Sequence, residues 1–198
     1  MSWNRVVCST HTSINKPVRL RSYHSNWEPS THCEIWQAAR ATSAAPLYFD
    51  PIRFGFPPLT YGDGGFHYNN PVRIAVDESN RIWDPSKDRR IGCILSIGTG
   101  KPPLRAVGDR GHEILLSLKE VVTDTEQTAE EFAAEIEDMD PMKKPNYFRF
   151  NVEQGLEEVG LEEWDHFERL AAATSAYLRS HRKEIEDCAD ILLRLTGT

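Results

Sequence analysis

Hydrophobic and polar positions follow two different periods in the first third of the chain. Residues 18–21 alternate apolar and basic side chains, a pattern that predicts a half-exposed strand. Residues 35–41 have a helical pattern that stops before Pro46, whose ring and missing N–H disfavour helix. Thr31 and Glu34 precede this run with the spacing of a capping box. We therefore predict a strand, followed by a helix whose first turn Thr31 caps.

Three further predictions cover residues 47–83. Residues 47–49 look extended. Apolar segments at 52–54 and 59–61 flank Gly-Phe-Pro-Pro, which is typical of a hairpin with a longer loop. Asn70 and Pro71 form a strong helix start, since an Asn side chain caps free N–H groups and proline has the φ of a first helical turn.

Residues 91–97 form a short, almost continuously apolar run that ends at Gly98-Thr99-Gly100. Such a run is typical of a strand covered on both faces by helices, so it favours a parallel α/β sheet. After Pro102-Pro103 the pattern becomes mostly helical. The elements predicted there are a long helix from about 114 to 139, a strand over 147–152, and helical patterns over 161–178 and 185–195.

Length and composition describe an ordinary globular chain. Its 198 residues suffice for one domain, or one domain with an extension, and 39% of them are hydrophobic. No stretch approaches the roughly 20 apolar residues of a membrane-spanning helix, and the first residues lack the apolar run of a secretory signal. The net charge of −7 argues against a nucleic-acid partner, which requires a basic face. The four cysteines are widely spaced, which favours reduced thiols in a cytoplasmic protein, although two disulfides stay open on counting alone.

The main candidate for chemistry is Asp63-Gly64-Gly65, at the end of a predicted strand. Glycine has no Cβ and tolerates positive φ, so this loop can bring a carboxylate close to a neighbouring backbone segment. By itself, Asp-Gly-Gly is most often only a turn, because these residues are common in turns. The surrounding sequence changes this interpretation.

The run 35–49, then Tyr61-Gly62-Asp63-Gly64-Gly65, then Asn69-Asn70-Pro71, resembles the patatin-like phospholipase family in order and spacing. The resemblance implies an α/β fold, with part of a three-layer α/β/α sheet domain over residues 1–103. The periodicity described above makes residues 104–198 a mostly helical extension of that domain. It implies an acyl hydrolase of lipids that uses a Ser–Asp dyad and no cofactor or metal. Asp63, in the D-G-G motif, would be the catalytic acid/base, and a phospholipid or another acyl lipid the substrate, with peripheral contact to membranes.

The dyad also has a physical rationale. A serine hydroxyl is a poor nucleophile until a base accepts its proton. When no histidine intervenes, the carboxylate must lie about 2.6–3.2 Å from the hydroxyl oxygen. The loop that carries Asp63 must then abut the nucleophile turn, and flanking glycines suit that approach.

The sequence departs from the family pattern at the nucleophile. It contains no G-x-S-x-G and no glycine-rich oxyanion loop, and we expect both upstream of Met1. Ser43 has small residues at both ±2 positions, but a helical pattern precedes it where a strand is required. Ser96 lies inside a predicted buried strand, where a hydroxyl usually pairs with a neighbour. Neither serine is a convincing substitute.

Three other features carry weaker signals. Gly98-Thr99-Gly100 is similar to part of a phosphate loop, but Lys101-Pro102-Pro103 favours a plain strand-end turn. His67 and Asp63 have no third metal ligand at a useful spacing. Arg40 is expected in a structural ion pair, with anion binding as the alternative.

Residues 54–59 form an apolar loop just before Asp63. One hypothesis is that it lines an acyl pocket or touches a lipid surface. The simpler expectation is a loop folded back on the core.

Two function classes follow. The first is a lipid acyl hydrolase to which this chain contributes Asp63 but no serine. The second is a non-catalytic remnant of the same fold that binds lipid or protein. An in-frame G-x-S-x-G upstream of Met1, together with esterase activity, distinguishes the first class from the second.

Overall fold

A computed structural model describes residues 4–29, 31–46, 48–83, 91–101, 112–142, 144–156, 159 and 164–197 of the chain. The chain divides into two compact units, Met1–Ala75 and Val76–Thr198. Over these described ranges, no helix combines the length and the apolar character needed to cross a membrane.

The first unit is a four-stranded antiparallel sheet with one helix packed on it. Its elements are β1 (Val6–His11), β2 (Lys16–Arg21), α1 (Ile35–Thr42), β3 (Ile52–Phe54), β4 (Leu59–Asp63), α2 (Gly65–Tyr68) and the first turn of α3 (Val72–Ile82). The strand order is β2-β1-β4-β3, and each neighbouring pair is antiparallel. The strand over 18–21, the helix over 35–41 and the hairpin around 55–58 are therefore confirmed.

The core of this unit lies between one face of the sheet and α1. Leu20, Phe54 and Tyr61 extend from the strands toward Ala41 of the helix, and all four are buried. The ring of Phe54 stacks on that of Tyr61 at a centroid distance of 4.3 Å. Because side chains alternate across a strand, the same face carries the side chain of Asp63, two residues after Tyr61.

The helix starts at 35 and 72 agree with prediction, but the capping residue of α1 does not. Glu34, not Thr31, is the residue before the first turn, and its backbone N–H donates to Gln37 Oε1 at 2.8 Å. For α3, Asn70 Oδ1 accepts from the Val72 N–H at 3.3 Å, as predicted for a cap. Both caps satisfy N–H groups that have no partner within the helix.

The extended segment predicted over 47–49 is wrong for its described residues. The backbone N–H groups of Tyr48 and Phe49 both donate to the carbonyl of Ala45, at 3.1 and 2.9 Å. These bonds close a turn directly after Pro46. Aromatic side chains favour strands, but here the local backbone bonds to Ala45 determine the conformation.

The second unit has two parallel strands and three long helices among its described residues. Its elements are the remainder of α3, β5 (Cys93–Ile97), α4 (His112–Glu137), β6 (Asn146–Phe150), a 3-10 turn (Trp164–His166), α5 (Phe167–Ser180) and α6 (Arg182–Thr196). Strand β5 pairs in parallel with β6, from Cys93 opposite Asn146 to Ile97 opposite Phe150. The parallel pairing and the helical character of the tail are confirmed.

The prediction that β5 is buried on both faces is wrong. Ile94 is buried, but Leu95 is 43% and Ile97 is 72% exposed. Helix α4 packs against the face that carries Ile94, through an edge-to-face contact of Phe132 with Tyr147. Among the described residues, the opposite face is only partly covered, so an apolar run here does not imply two covering layers.

The predicted α/β fold class is thus confirmed, with mixed sheets and helices in the order expected for part of an α/β domain. The predicted boundary between residues 103 and 104 falls in the segment 102–111, outside the described residues. It stays a prediction.

Candidate active site

Asp63 is the last residue of β4 and lies opposite Ser9 of β1. Strand β1 fixes its position through side chains that sequence analysis did not single out. Thr10 Oγ1 donates to the Asp63 carbonyl at 2.7 Å, and Ser9 Oγ donates to the Gly62 carbonyl at 2.7 Å. Ser9 is completely buried. Because β1 and β4 are about fifty residues apart in sequence, no local pattern reveals this pairing.

The end of α1 holds the same loop from another direction. The Asp63 N–H donates to the carbonyl of Ala44 at 3.2 Å. Thr42 Oγ1 donates to the carbonyl of Cys8 on β1 at 2.6 Å. Ala44 is buried, so small residues are needed where the helix end meets the sheet. The alanine-rich run 41–45 therefore anchors the backbone of Asp63.

The Asp63 carboxylate is oriented by the glycine two residues further on. Its Oδ1 accepts the backbone N–H of Gly65 at 2.6 Å, a short charge-assisted bond. Asp63 is half-buried, and it has no ion pair with any residue that the structure describes. One carboxylate oxygen is thus fixed by Gly65, and the group is not neutralised by a described basic side chain.

Gly64 is needed for space. A Cβ at this position would lie 2.4 Å from the carbonyl carbon and oxygen of Cys8, inside the backbone of β1. Its φ of −82° is available to any residue, so the positive φ considered from the sequence does not apply. The close approach predicted for the glycine pair is present, and the neighbour is β1.

Gly65 has a different constraint. A Cβ here would lie 3.1 Å from Asp63 Oδ1, so a side chain would press on the carboxylate. Gly65 begins the short helix α2, which turns the chain away from the strand end. Together the two glycines let the loop rest on β1 and leave the carboxylate room.

The two serines considered as nucleophiles are engaged elsewhere. Ser43 caps the C-terminus of α1 and donates to the Ala39 carbonyl at 2.9 Å. It follows a helix, as predicted, and so lacks the strand-to-helix turn of a nucleophile elbow. Ser96 Oγ accepts from Arg149 Nη1 at 3.0 Å, which confirms that its hydroxyl is paired with a neighbour.

Gly98-Thr99-Gly100 is a strand-end turn, as predicted. The Gly98 N–H bonds to the Phe150 carbonyl, and the Gly100 N–H bonds to Asn151 Oδ1 at 2.7 Å. Gly100 has a φ of 103°, which favours glycine. A Cβ on Gly98 would lie 2.3 Å from Asn151 Oδ1. The Asn151 side chain thus lies directly against the backbone of this segment.

Arg40 and His67 have structural contacts. Arg40 Nη2 donates to the Asp50 carbonyl at 2.7 Å, and its guanidinium lies 5.4 Å from the centre of the Phe49 ring. Arg40 forms no ion pair with a residue that the structure describes, so this backbone contact takes the place of the expected ion pair. His67 Nε2 contacts Asn15 Oδ1 at 3.3 Å. No group of three potential metal ligands occurs within the described part of the chain.

The apolar loop before Asp63 divides into two parts. Phe54 is folded back into the core, with 5% of its surface exposed. Phe56, at the tip of the β3–β4 hairpin, is fully exposed, at 101%. The expectation of a loop folded on the core therefore holds for Phe54 and is wrong for Phe56.

Comparison with known proteins bears on this site. Residues 4–76, which include β1, α1 and the Asp63 loop, match the model of the family described as Patatin-like phospholipase. The chain is 30% identical to Phospholipase A I of Arabidopsis thaliana over 80% of its length, a match that spans 12% of that protein. It is also 30% identical to Calcium-independent phospholipase A2-gamma of Homo sapiens, over 94% of this chain and 24% of the relative.

A third relative, Patatin-like protein 4 of Arabidopsis thaliana, is 29% identical over 43% of this chain and 24% of its own length. The matched segment thus spans a quarter or less of each of these three relatives. Residues 4–76, which hold Asp63 on β1 and α1, thus match the patatin-like phospholipase family that the sequence resembles.

Proposed function

We propose that this chain contributes the general base of a lipid acyl hydrolase, and that Asp63 is that base. The observation that carries the proposal is the state of the Asp63 carboxylate. Its backbone is held by Ala44 and Thr10, one carboxylate oxygen accepts the Gly65 N–H, and no described cation neutralises it. A carboxylate that is rigidly placed and not in an ion pair is suited to accept a proton.

The proposed chemistry is acyl transfer through serine. Asp63 accepts the proton of a serine hydroxyl while the serine oxygen attacks the ester carbonyl carbon of an acyl lipid. The proton then passes to the departing alcohol oxygen, which leaves an acyl-serine. Asp63 then accepts a proton from water as the water oxygen attacks the acyl-serine carbonyl carbon. The bond to the serine oxygen breaks, Asp63 returns the proton to that oxygen, and the fatty acid is released.

We place the serine in a G-x-S-x-G segment outside these 198 residues, because the printed sequence contains no such motif. Phospholipids are the favoured substrate class, since relatives such as Phospholipase A I carry that activity in their names. The oxyanion donors would come from the same outside segment.

The test uses the protein encoded by the longest reading frame that contains this chain. Asp63→Asn removes the base with little change of shape, so hydrolysis of a short nitrophenyl ester should fall by about 10²-fold or more. Asp50→Asn is the matched control, because Asp50 is exposed and the charge change is the same. Activity of Asp63→Asn equal to that of Asp50→Asn would contradict the proposal.

A non-catalytic role is the alternative outcome. A reading frame without G-x-S-x-G, whose folded product shows no esterase activity, would favour the binding remnant over the hydrolase. In that case Asp63→Asn should leave lipid binding unchanged.

A further inference from the structure

The two hairpin tips of the first unit lie side by side at one end of its sheet. The β1–β2 loop spans residues 12–15, and the β3–β4 loop spans residues 55–58. Strand β1 pairs with β4 so that His11 lies opposite Tyr61. The Thr12 N–H extends this pairing by donating to the Thr60 carbonyl at 3.0 Å. Both loops therefore emerge from adjacent strands in the same direction.

Each tip exposes a large apolar side chain. Phe56 is 101% exposed and Ile14 is 58% exposed. Each lies between two strands that contain buried residues. A fully exposed phenylalanine gains nothing from the fold of its own chain, and it is stabilised only when something removes it from water. The hairpin tips thus present two apolar side chains outward.

The charged residues next to the two tips in sequence, Lys16 and Arg53, are positive. Lys16 follows the first tip and Arg53 precedes the second; both are exposed, and neither forms an ion pair with a described residue. No Asp or Glu occurs in residues 1–27 or 51–62, although the whole chain has a net charge of −7. The basic character of this end of the sheet is therefore local.

We propose that the tips at 12–15 and 55–58 dock on the surface of an anionic phospholipid bilayer. Ile14 and Phe56 would enter the boundary between headgroups and acyl chains, while Lys16 and Arg53 contact lipid phosphates. An apolar residue beside a cation on each tip matches the layering of a bilayer, which is apolar inside and anionic at its surface. The inference rests on the proposed function, because a bilayer is where a phospholipid substrate resides.

The geometry also sets the position of Asp63 relative to this surface. Asp63 is four residues from Leu59, where β4 leaves the tip, so the strand separates them by about 13 Å. The carboxylate would then stay above the headgroups, and Phe56 would act as an anchor for the protein.

The test measures co-sedimentation of the purified protein with vesicles of phosphatidylcholine alone and of phosphatidylcholine mixed with phosphatidylserine. Binding is expected with the mixed vesicles and should weaken as salt is raised. Phe56→Ser should reduce the partition coefficient about tenfold. Lys16→Gln and Arg53→Gln should each reduce it about fivefold, with no effect on vesicles of phosphatidylcholine alone. Ile35→Ser is the matched control, since Ile35 is 86% exposed outside the tips.

Several outcomes would overturn the docking surface. They are absence of binding to the mixed vesicles, unchanged binding of Phe56→Ser, or an equal loss in Ile35→Ser, with circular dichroism confirming that each variant is folded. The assay is independent of catalysis. If Asp63→Asn binds vesicles normally but hydrolyses nothing, both proposals stand; if it retains hydrolysis while the tip variants lose binding, only the proposed function fails.

Discussion

Gly64 and Cys8 are in direct backbone contact, and this contact sets how closely the Asp63 loop approaches β1. A Cβ on residue 64 would lie 2.4 Å from both the carbonyl carbon and the carbonyl oxygen of Cys8. Neither atom can move without shifting a strand that pairs with both β2 and β4. The glycine is therefore part of the structure that positions the carboxylate.

We expect Gly64→Ala to lower the free energy of unfolding by about 1–3 kcal/mol, because the added methyl group forces the loop away from β1. Urea denaturation followed by circular dichroism measures the effect. Gly65→Ala is the comparison. The nearest atom to its Cβ is Asp63 Oδ1, a side-chain atom at 3.1 Å, so stability should change less. A Gly64→Ala variant as stable as Gly65→Ala would show that the backbone of β1 moves to accommodate the added methyl group at little cost in free energy.

The same pair of variants separates stability from chemistry. In the protein encoded by the longer reading frame, Gly65→Ala should lower the rate of ester hydrolysis although it changes the free energy of unfolding little. The reason is that its methyl group presses on Asp63 Oδ1. The measurement is kcat/KM on a monomeric ester. Unchanged kcat/KM in Gly65→Ala would mean that the orientation of the carboxylate does not limit the reaction.

Truncation of two phenylalanines that are two residues apart should change the free energy of unfolding by very different amounts. Phe54 is buried and stacks on Tyr61, so Phe54→Ala should cost about 3–5 kcal/mol. Phe56 is fully exposed, and Phe56→Ala should change stability by less than about 0.5 kcal/mol. Thermal or urea unfolding of both variants decides the matter. A large loss in Phe56→Ala would mean that the tip packs on the protein after all.

The side chain of Asn151 should be essential to the turn at the end of β5. It is buried, accepts from the Gly100 N–H and donates to Glu126 Oε1 at 2.9 Å. Asn151→Ala leaves both groups without this partner and should cost about 1–3 kcal/mol. Asn146→Ala is the control, because its bond to the Gly92 carbonyl is exposed and should be worth less. Equal losses in the two variants would contradict this assignment.

Local signals in the sequence predicted most elements correctly. The hairpin around 55–58 and the helix start at Asn70-Pro71 depend on the sterics of a few adjacent residues, and both are present. The exposure of Ile97 could not be predicted in this way, because burial depends on which distant elements cover a strand. The turn at Tyr48 and Phe49 was not predicted; it depends on the backbone bonds that both residues donate to the Ala45 carbonyl.

The sequence motif identifies the candidate site, but no local pattern identifies the residues that support it. Asp63 is recognisable from two following glycines and the surrounding segments. Ser9 and Thr10 bond to carbonyls 53 residues away, so their roles appear only once the register of β1 on β4 is known. The contact of Gly64 with Cys8 likewise depends on tertiary structure. Space, and not φ, is what makes that glycine necessary.

The protein should lose stability at alkaline pH. Burial raises the pKa of the thiols of Cys33, Cys93 and Cys188 above their ordinary value of 9.0, and it raises the pKa of the Tyr61 and Tyr147 hydroxyls above 10.0. Between the unfolded and the folded pKa, the folded protein holds more protons than the unfolded chain. The free energy of unfolding must therefore fall as the pH rises through this interval. We expect full stability at neutral pH and a progressive loss that begins near pH 9.

Urea unfolding at a series of pH values between neutrality and about pH 10.5 measures this slope. Cys188→Ala should flatten the slope above pH 9, because it removes a buried thiol that must otherwise ionise on unfolding. The variant must be compared with the unaltered protein over the whole pH series, because the lost side chain also leaves a cavity that lowers stability at every pH. Only the difference between the two proteins in the slope of unfolding free energy against pH reports the ionisation of the Cys188 thiol. Parallel slopes for Cys188→Ala and the unaltered protein would show that this thiol does not contribute to alkaline unfolding.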